Sequence, residues 1–211
     1  NKVEPVNLPL YQLYEDAFRT THAMHETDAL IDVLFEHDNT AAFVSTRLIQ
    51  RLVTSNPSPR YVKAVATAFR TGAYGNHTFS GVYGDLGATV TAILLDREAR
   101  SPELDIDPSH GQLREPLLKV LHFLRSMDYT SKAGVEVQMD WMDVKVGQGS
   151  YQAPSVFGFL LPDYSPDGAV SKRGLVSPEA QLGTAPFIIG YLNGMSSLIN
   201  FGLTHCEGGF G

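Results

Sequence analysis

Three groups of residues have the types and spacing for chemistry. The first is a set of carboxylates, Glu115, Asp163 and Glu179. Two carboxyls about 5 to 9 Å apart across a groove would hydrolyse a glycosidic polymer, one as acid and the other as base or nucleophile. The second is His22 and His25, three apart, with Glu26 and Asp28 beside them. On a helix these imidazoles share a face. The zinc-protease pattern instead needs two His four apart with Glu after the first, and structural zinc usually takes four ligands, often Cys. The pair therefore reads as surface histidines, and no metal is assigned. The third is Tyr151, Phe157, Phe159 and Tyr164, set beside Pro154 and Pro162. These rings would form a platform for stacking sugars or plug the edge of a core.

Other motifs fall to simpler readings. His37-Asp38 resembles an acid–base pair but sits at a helix junction, where it reads as a cap. Cys206 is the single cysteine, so no intramolecular disulfide forms, and nothing identifies a base to activate its thiol. Residues 72–84 are Gly-rich but lack the preceding strand and the Lys-Ser/Thr of a phosphate cradle, and no cofactor is called for. Glu103, Asp105 and Asp107 alternate in an acidic loop without the spacing or central Gly of a calcium loop. Asn76-His77-Thr78 is a glycosylation sequon, meaningful in a eukaryotic secreted protein.

The elements that must position these groups are helical. Leu10 to Phe18 reads as a short helix, and Thr27 as the N-cap of a second reaching Phe35. Phe43, Val44, Leu48, Ile49 and Leu52 recur at helical spacing, and Ser55-Asn56-Pro57 breaks the run. Ser58-Pro59 opens a helix carrying Val62, Val65, Ala66 and Phe69, stopped by Gly72. Asp85 is the expected N-cap of a helix running to Arg100, with Leu86, Val90, Ile93 and Leu94 inward and an Asp96–Arg100 pair outward. Glu115-Pro116 and Ser177-Pro178-Glu179 open two more helices. Arg47, Arg51, Arg114 and Glu115 are expected to form ion pairs tying helices together. The expected core draws on Leu48, Leu52, Val65, Phe69, Ile93, Leu94, Leu118 and Leu121.

No alternating run is long enough for a sheet. The fold class is all-α, a single multi-helix domain with long irregular loops. Residues 1–26 read as a lead-in with a short helix, 27–203 as the helical domain and 204–211 as a tail. The opening without Met and the Gly-rich close read as part of a longer precursor.

Composition excludes several functions. A hydrophobic fraction of 43% in 211 residues supports a packed core. A formal net charge of −7 without a Lys/Arg cluster argues against nucleic acid and anionic membrane. The most apolar run, residues 187–203, carries Asn193 and Asn200 and is short for a membrane span.

Several pieces, in order, resemble one family. They are Leu34-Phe35-Glu36-His37 with Phe43-Val44-Ser45-Thr46-Arg47-Leu48, then Val53-Thr54-Ser55-Asn56-Pro57. Next come Gly84-Asp85-Leu86 and Ala92-Ile93-Leu94-Leu95-Asp96-Arg97-Glu98-Ala99-Arg100, then Arg114-Glu115-Pro116-Leu117. Ser155-Val156-Phe157-Gly158-Phe159, Pro162-Asp163-Tyr164 and Gly174-Leu175-Val176-Ser177-Pro178-Glu179 complete the series. From about Asp28 to about Asn193 the chain resembles the C-terminal half of the domain of unknown function 1800 family. That resemblance implies export and supplies no catalytic residues. The expected function is an extracellular or surface-associated binding or scaffold domain. Its expected partner is a protein, a polysaccharide or further chains in an assembly; the alternative is a secreted polymer-acting hydrolase.

Overall fold

The computed structural model of the protein describes residues 16–131, 134, 139–204 and 208–210, with side chains from residue 23 onward except Glu103. The His22 side chain, Cys206 and the segment from Leu10 to Glu15 lie outside the described residues. The architecture is all-α apart from one two-stranded hairpin. The chain divides into two compact units, Asn1–Leu48 with Pro59–Asp96, and Ile49–Ser58 with Arg97–Gly211.

The first unit holds α1 (Asp16–Phe35), most of α2 (Thr40–Leu52), α3 (Pro59–Thr71), the hairpin of β1 (Ala73–Tyr74) and β2 (His77–Thr78), and α4 (Leu86–Leu95). Of the two helices expected before residue 36, the described part, Asp16–Phe35, is one unbroken helix. Thr27 lies inside it, and its Oγ1 donates to the Ala23 carbonyl at 2.8 Å. Satisfying that hydroxyl within the helix removes the need for a break. His37 and Asp38 occupy the junction, where His37 Nδ1 accepts from the Asn39 N–H at 3.1 Å.

Packing of α3 on α4 makes the core. Tyr61, Val65 and Phe69 on α3 and Ala88, Ala92 and Ile93 on α4 are buried. The two alanines keep α4 thin on the shared face, so α3 comes close, and the Tyr61 hydroxyl donates to the Ile93 carbonyl at 2.6 Å. Phe35, Phe69 and Tyr83 close one end edge to face, with centroids 5.0 to 6.2 Å apart. Gly84, at φ +88°, follows this cluster; a Cβ there would strike the Phe35 ring.

Asp85 caps α4 as expected. Its Oδ1 accepts from the Ala88 N–H at 2.8 Å and its Oδ2 from the Ser80 N–H at 2.7 Å. Hydrogen bonds from Ser80 and from the first-turn amides lower its pKa to about 2. The helix expected to run on to Arg100 stops at Leu95. Asp96 is extended there (φ −61°, ψ 146°), and its carboxylate takes the Arg60 guanidinium through two bonds of 2.6 and 3.0 Å. Asp96 and Arg100 therefore lie on no common helix, and the pairing expected between them is replaced by this bidentate one.

The second unit holds α5 (Arg97–Arg100), a 3₁₀ turn (Pro102–Ile106), α6 (Pro116–Ser126), α7 (Met142–Val146), α8 (Ala169–Lys172), another 3₁₀ turn (Pro178–Leu182) and α9 (Ala185–Phe201). Among the described residues no helix is long and apolar enough to cross a membrane. The core is Val120, Met142, Val146, Leu198 and Phe210. Phe210 reaches it because Gly194 leaves room on α9, where any Cβ would overlap the ring.

Of the expected core, Val65, Phe69 and Ile93 are buried, Leu48 and Leu121 are half-buried, and Leu52, Leu94 and Leu118 are exposed. Periodicity names an apolar face of a helix. It does not say how much of that face a neighbour covers.

Candidate functional site

The polar residues around the Ser55-Asn56-Pro57 break organise the second unit. Thr54 and Ser55 are buried with their backbone bonds ending locally, so their polar groups need distant partners. The Ser55 N–H donates to the Gly111 carbonyl at 2.9 Å, and the Gly111 N–H donates to Thr54 Oγ1 at 2.9 Å. Asn56 exchanges two 2.9 Å bonds with the Val176 backbone. Gln50 donates to the carbonyls of Ser55 at 3.1 Å and Pro162 at 3.2 Å. Ten residues thereby hold loops that lie far along the chain.

Beside this anchor sits a charged cluster. Arg51 donates to Glu115 Oε1 at 2.7 Å and to the Phe157 carbonyl at 2.5 Å. Gln148, itself buried, donates to Glu115 Oε2 at 2.7 Å and accepts from the Leu117 N–H at 3.0 Å. Glu115 thus has both oxygens engaged. The ion pair expected of Arg51 and Glu115 is present. Arg47 lies over the Phe43 ring at 5.1 Å, and Arg114 lines a cavity.

Glu179 is different. It is buried on the Pro178–Leu182 turn, and among the described residues its Oε2 has no hydrogen-bond partner. Burial pushes its carboxyl above the ordinary range and the charge of Glu115 adds to this, while bonds to its own backbone and to Ser55 and the charge of Arg51 oppose it. Glu179 lines a cavity of ≈ 250 Å³. The apolar wall is Leu113, Pro116, Leu182, Phe187, Ile188 and Leu192. Arg114, Lys119 and Tyr191 supply the other polar groups, with the Lys119 ammonium 5.7 Å from the Tyr191 ring centroid. Burial raises the Tyr191 phenol as well. Burial among these apolar walls is what disfavours the charged form of Glu179.

The remaining sequence candidates are scattered. Asp163 is exposed and lines neither this cavity nor the groove of α6 described below. Tyr151 is fully exposed at φ 58°, while Phe157, Phe159 and Tyr164 are half-buried. None of the four lines the cavity. His25 is exposed, and among the described residues no three His, Cys, Asp or Glu groups gather around a common point for a metal. Asn76 is exposed between β1 and β2.

The model of the family described as protein of unknown function (DUF1800) matches residues 12–203. The chain belongs to the DUF1800 family. No curated protein and no solved structure matches it. The family match spans both the helix pair of the first unit and the Glu179 cavity of this DUF1800 chain.

Sequence reasoning named Glu179 and Glu115 but missed Gln50, Thr54, Asn56 and Gln148. Their only local signal is a run of polar residues around a helix break. Partners 112 and 120 residues away decide their role.

Proposed function

We propose that this DUF1800 chain is an exported, surface-associated binding domain whose ligand seat is the cavity beside Glu179. The observation that carries this reading is that Glu179, whose Oε2 has no partner among the described residues, belongs to the lining of an apolar cavity. A buried carboxyl of this kind gains by meeting a polar group of a ligand. The cavity is smaller than the roughly 300–1,000 Å³ of sites that enclose whole small molecules. It fits one compact group of a larger protein or polysaccharide partner. A hydroxyl or amide on that group offers the donor that a carboxyl oxygen of Glu179 lacks. Export is what the family resemblance implies.

The test is a thermal-shift titration with benzyl alcohol, p-cresol and N-acetylglucosamine. At least one probe is expected to raise the Tm in a concentration-dependent way. Leu182→Trp, which fills the cavity, is expected to abolish the shift. A shift that survives Leu182→Trp, or none with any probe, counts against the reading.

One observation favours the hydrolase as a second reading: Glu179 is raised beside the carboxylate Glu115, the pattern of an acid set against an ionised partner. Engagement of both Glu115 oxygens weakens it. Polymer hydrolysis lost in both Glu115→Gln and Glu179→Gln would move it to first place.

A further inference from the structure

We infer that the groove between α6 and α9 seats a second copy of this chain, which docks its acidic loop of residues 101–110 there. The groove encloses ≈ 850 Å³ and is lined by Arg114, Lys119, His122 and Arg125, with Leu121 and Met195 among its apolar residues. No carboxylate lines it. Among the described residues none lies within ion-pair distance of the three cations, Arg114, Lys119 and Arg125, or of His122. In a chain of net charge −7 this gathering of cations over an apolar floor selects an occupant that is both acidic and apolar. A bilayer surface is too flat to enter a groove. A polynucleotide meets the net negative charge of the chain as it approaches.

The chain carries such an occupant itself. Ile106 is 84% exposed, with Asp105 and Asp107 exposed on either side. The loop is already shaped. Its 3₁₀ turn is closed by Leu104 N–H to the Ser101 carbonyl at 3.2 Å and Asp107 N–H to the Leu104 carbonyl at 3.1 Å. Pro102 and Pro108 restrict both ends. Asp107 accepts from Ser109 through the amide at 2.8 Å and the hydroxyl at 2.7 Å, and these bonds lower its pKa. A preformed loop loses little freedom on docking. An apolar tip between two carboxylates matches an apolar floor between cations. Loop and groove are different patches, so the contact is head-to-tail, and it closes into a ring or extends as a filament.

Sedimentation velocity on the whole chain tests this over a concentration series, at about 0.05 M and about 0.5 M salt. At low salt the weight-average mass is expected to rise with concentration; at high salt it falls to that of the monomer. His122→Glu with Arg125→Glu is expected to abolish association, and adding Asp105→Lys with Asp107→Lys to restore it. Ile106→Ser is expected to weaken it about tenfold or more. A monomer throughout the low-salt series overturns the inference, as does association indifferent to these changes. If the reversed chains fail to fold, a synthetic peptide of residues 101–110 decides with the wild type. Competition supports the docking, and absence of competition overturns it. Cavity and groove share Arg114, Lys119 and Tyr191, but His122 and Arg125 line the groove alone; His122→Glu with Arg125→Glu is therefore expected to abolish association and to leave the probe-induced rise in Tm, so the two readings fail separately.

Discussion

The two units hold together by different means. In the first, α3 and α4 bury Tyr61, Val65, Ile93 and two alanines against one another, and the polar groups are settled at the margins by Asp85 and by Arg60 with Asp96. In the second, the ten residues from Ile49 to Ser58 carry buried and half-buried amides and hydroxyls that fasten distant loops by hydrogen bonds. Apolar packing is tolerant of partner but demanding of volume. Polar fastening is the reverse, since each buried group must find one partner at one place. The second unit also holds the cavity beside Glu179.

The comparison breaks first at Ile93. Ile93→Ala is expected to cost about 2–5 kcal/mol, measured by denaturant unfolding, because a closed helix interface cannot collapse around the void. A loss well below that range would mean that the α3–α4 contact relaxes easily. Asn56→Ala comes next, at about 1–3 kcal/mol, since it leaves the Val176 N–H and carbonyl without their partners. Hydrogen exchange should quicken around residues 162–176 before it quickens in α3. Uniform acceleration would show that the loops are not fastened separately.

Glu179→Gln sharpens the comparison in the opposite direction. A carboxyl whose folded pKa is raised binds its proton more tightly in the folded chain. As pH rises from the ordinary value of 4.5 through the folded pKa, the wild type loses stability from this group. The Gln variant should therefore be the more stable at neutral pH, with its advantage in Tm shrinking as pH falls toward 4.5. A wild-type advantage at pH 7 would refute the assignment. Asp85 runs the other way. Its folded pKa is depressed, so its stabilisation is complete above the unfolded value of 3.8 and is lost as pH falls toward about 2. Asp85→Ala should lower the Tm at pH 7 by less than Asn56→Ala does, and the gap from wild type should narrow below pH 4. Tyr151→Ala, at a fully exposed ring, should change stability by less than about 0.5 kcal/mol.

What was legible in the sequence follows the same division. The Asp85 cap, the start of α3 at Pro59 and the burial of Val65, Phe69 and Ile93 all rest on residues within a few positions of one another. Local spacing carries that information. The end of α4 was not legible, because Asp96 answers to Arg60, 36 residues earlier. The same holds for the polar anchor, since nothing near Asn56 announces Val176. Glu179 stood out as a carboxylate after a proline, but its raised pKa comes from burial and from Glu115, 64 residues earlier in the chain, and neither is visible in the residues beside it.

The discontinuous path of the second unit has a consequence for synthesis. Its first ten residues emerge before α3 and α4, and Asn56 meets Val176 only 120 residues later. At roughly 5–20 residues per second, a nascent chain would hold those buried-to-be amides and hydroxyls open for about 6 to 24 s. The first unit has by then acquired all of its own residues. Until Val176 is made, water serves those groups, beside a first unit that is already complete in sequence. For the same reason no single cut in the chain could release the second unit whole.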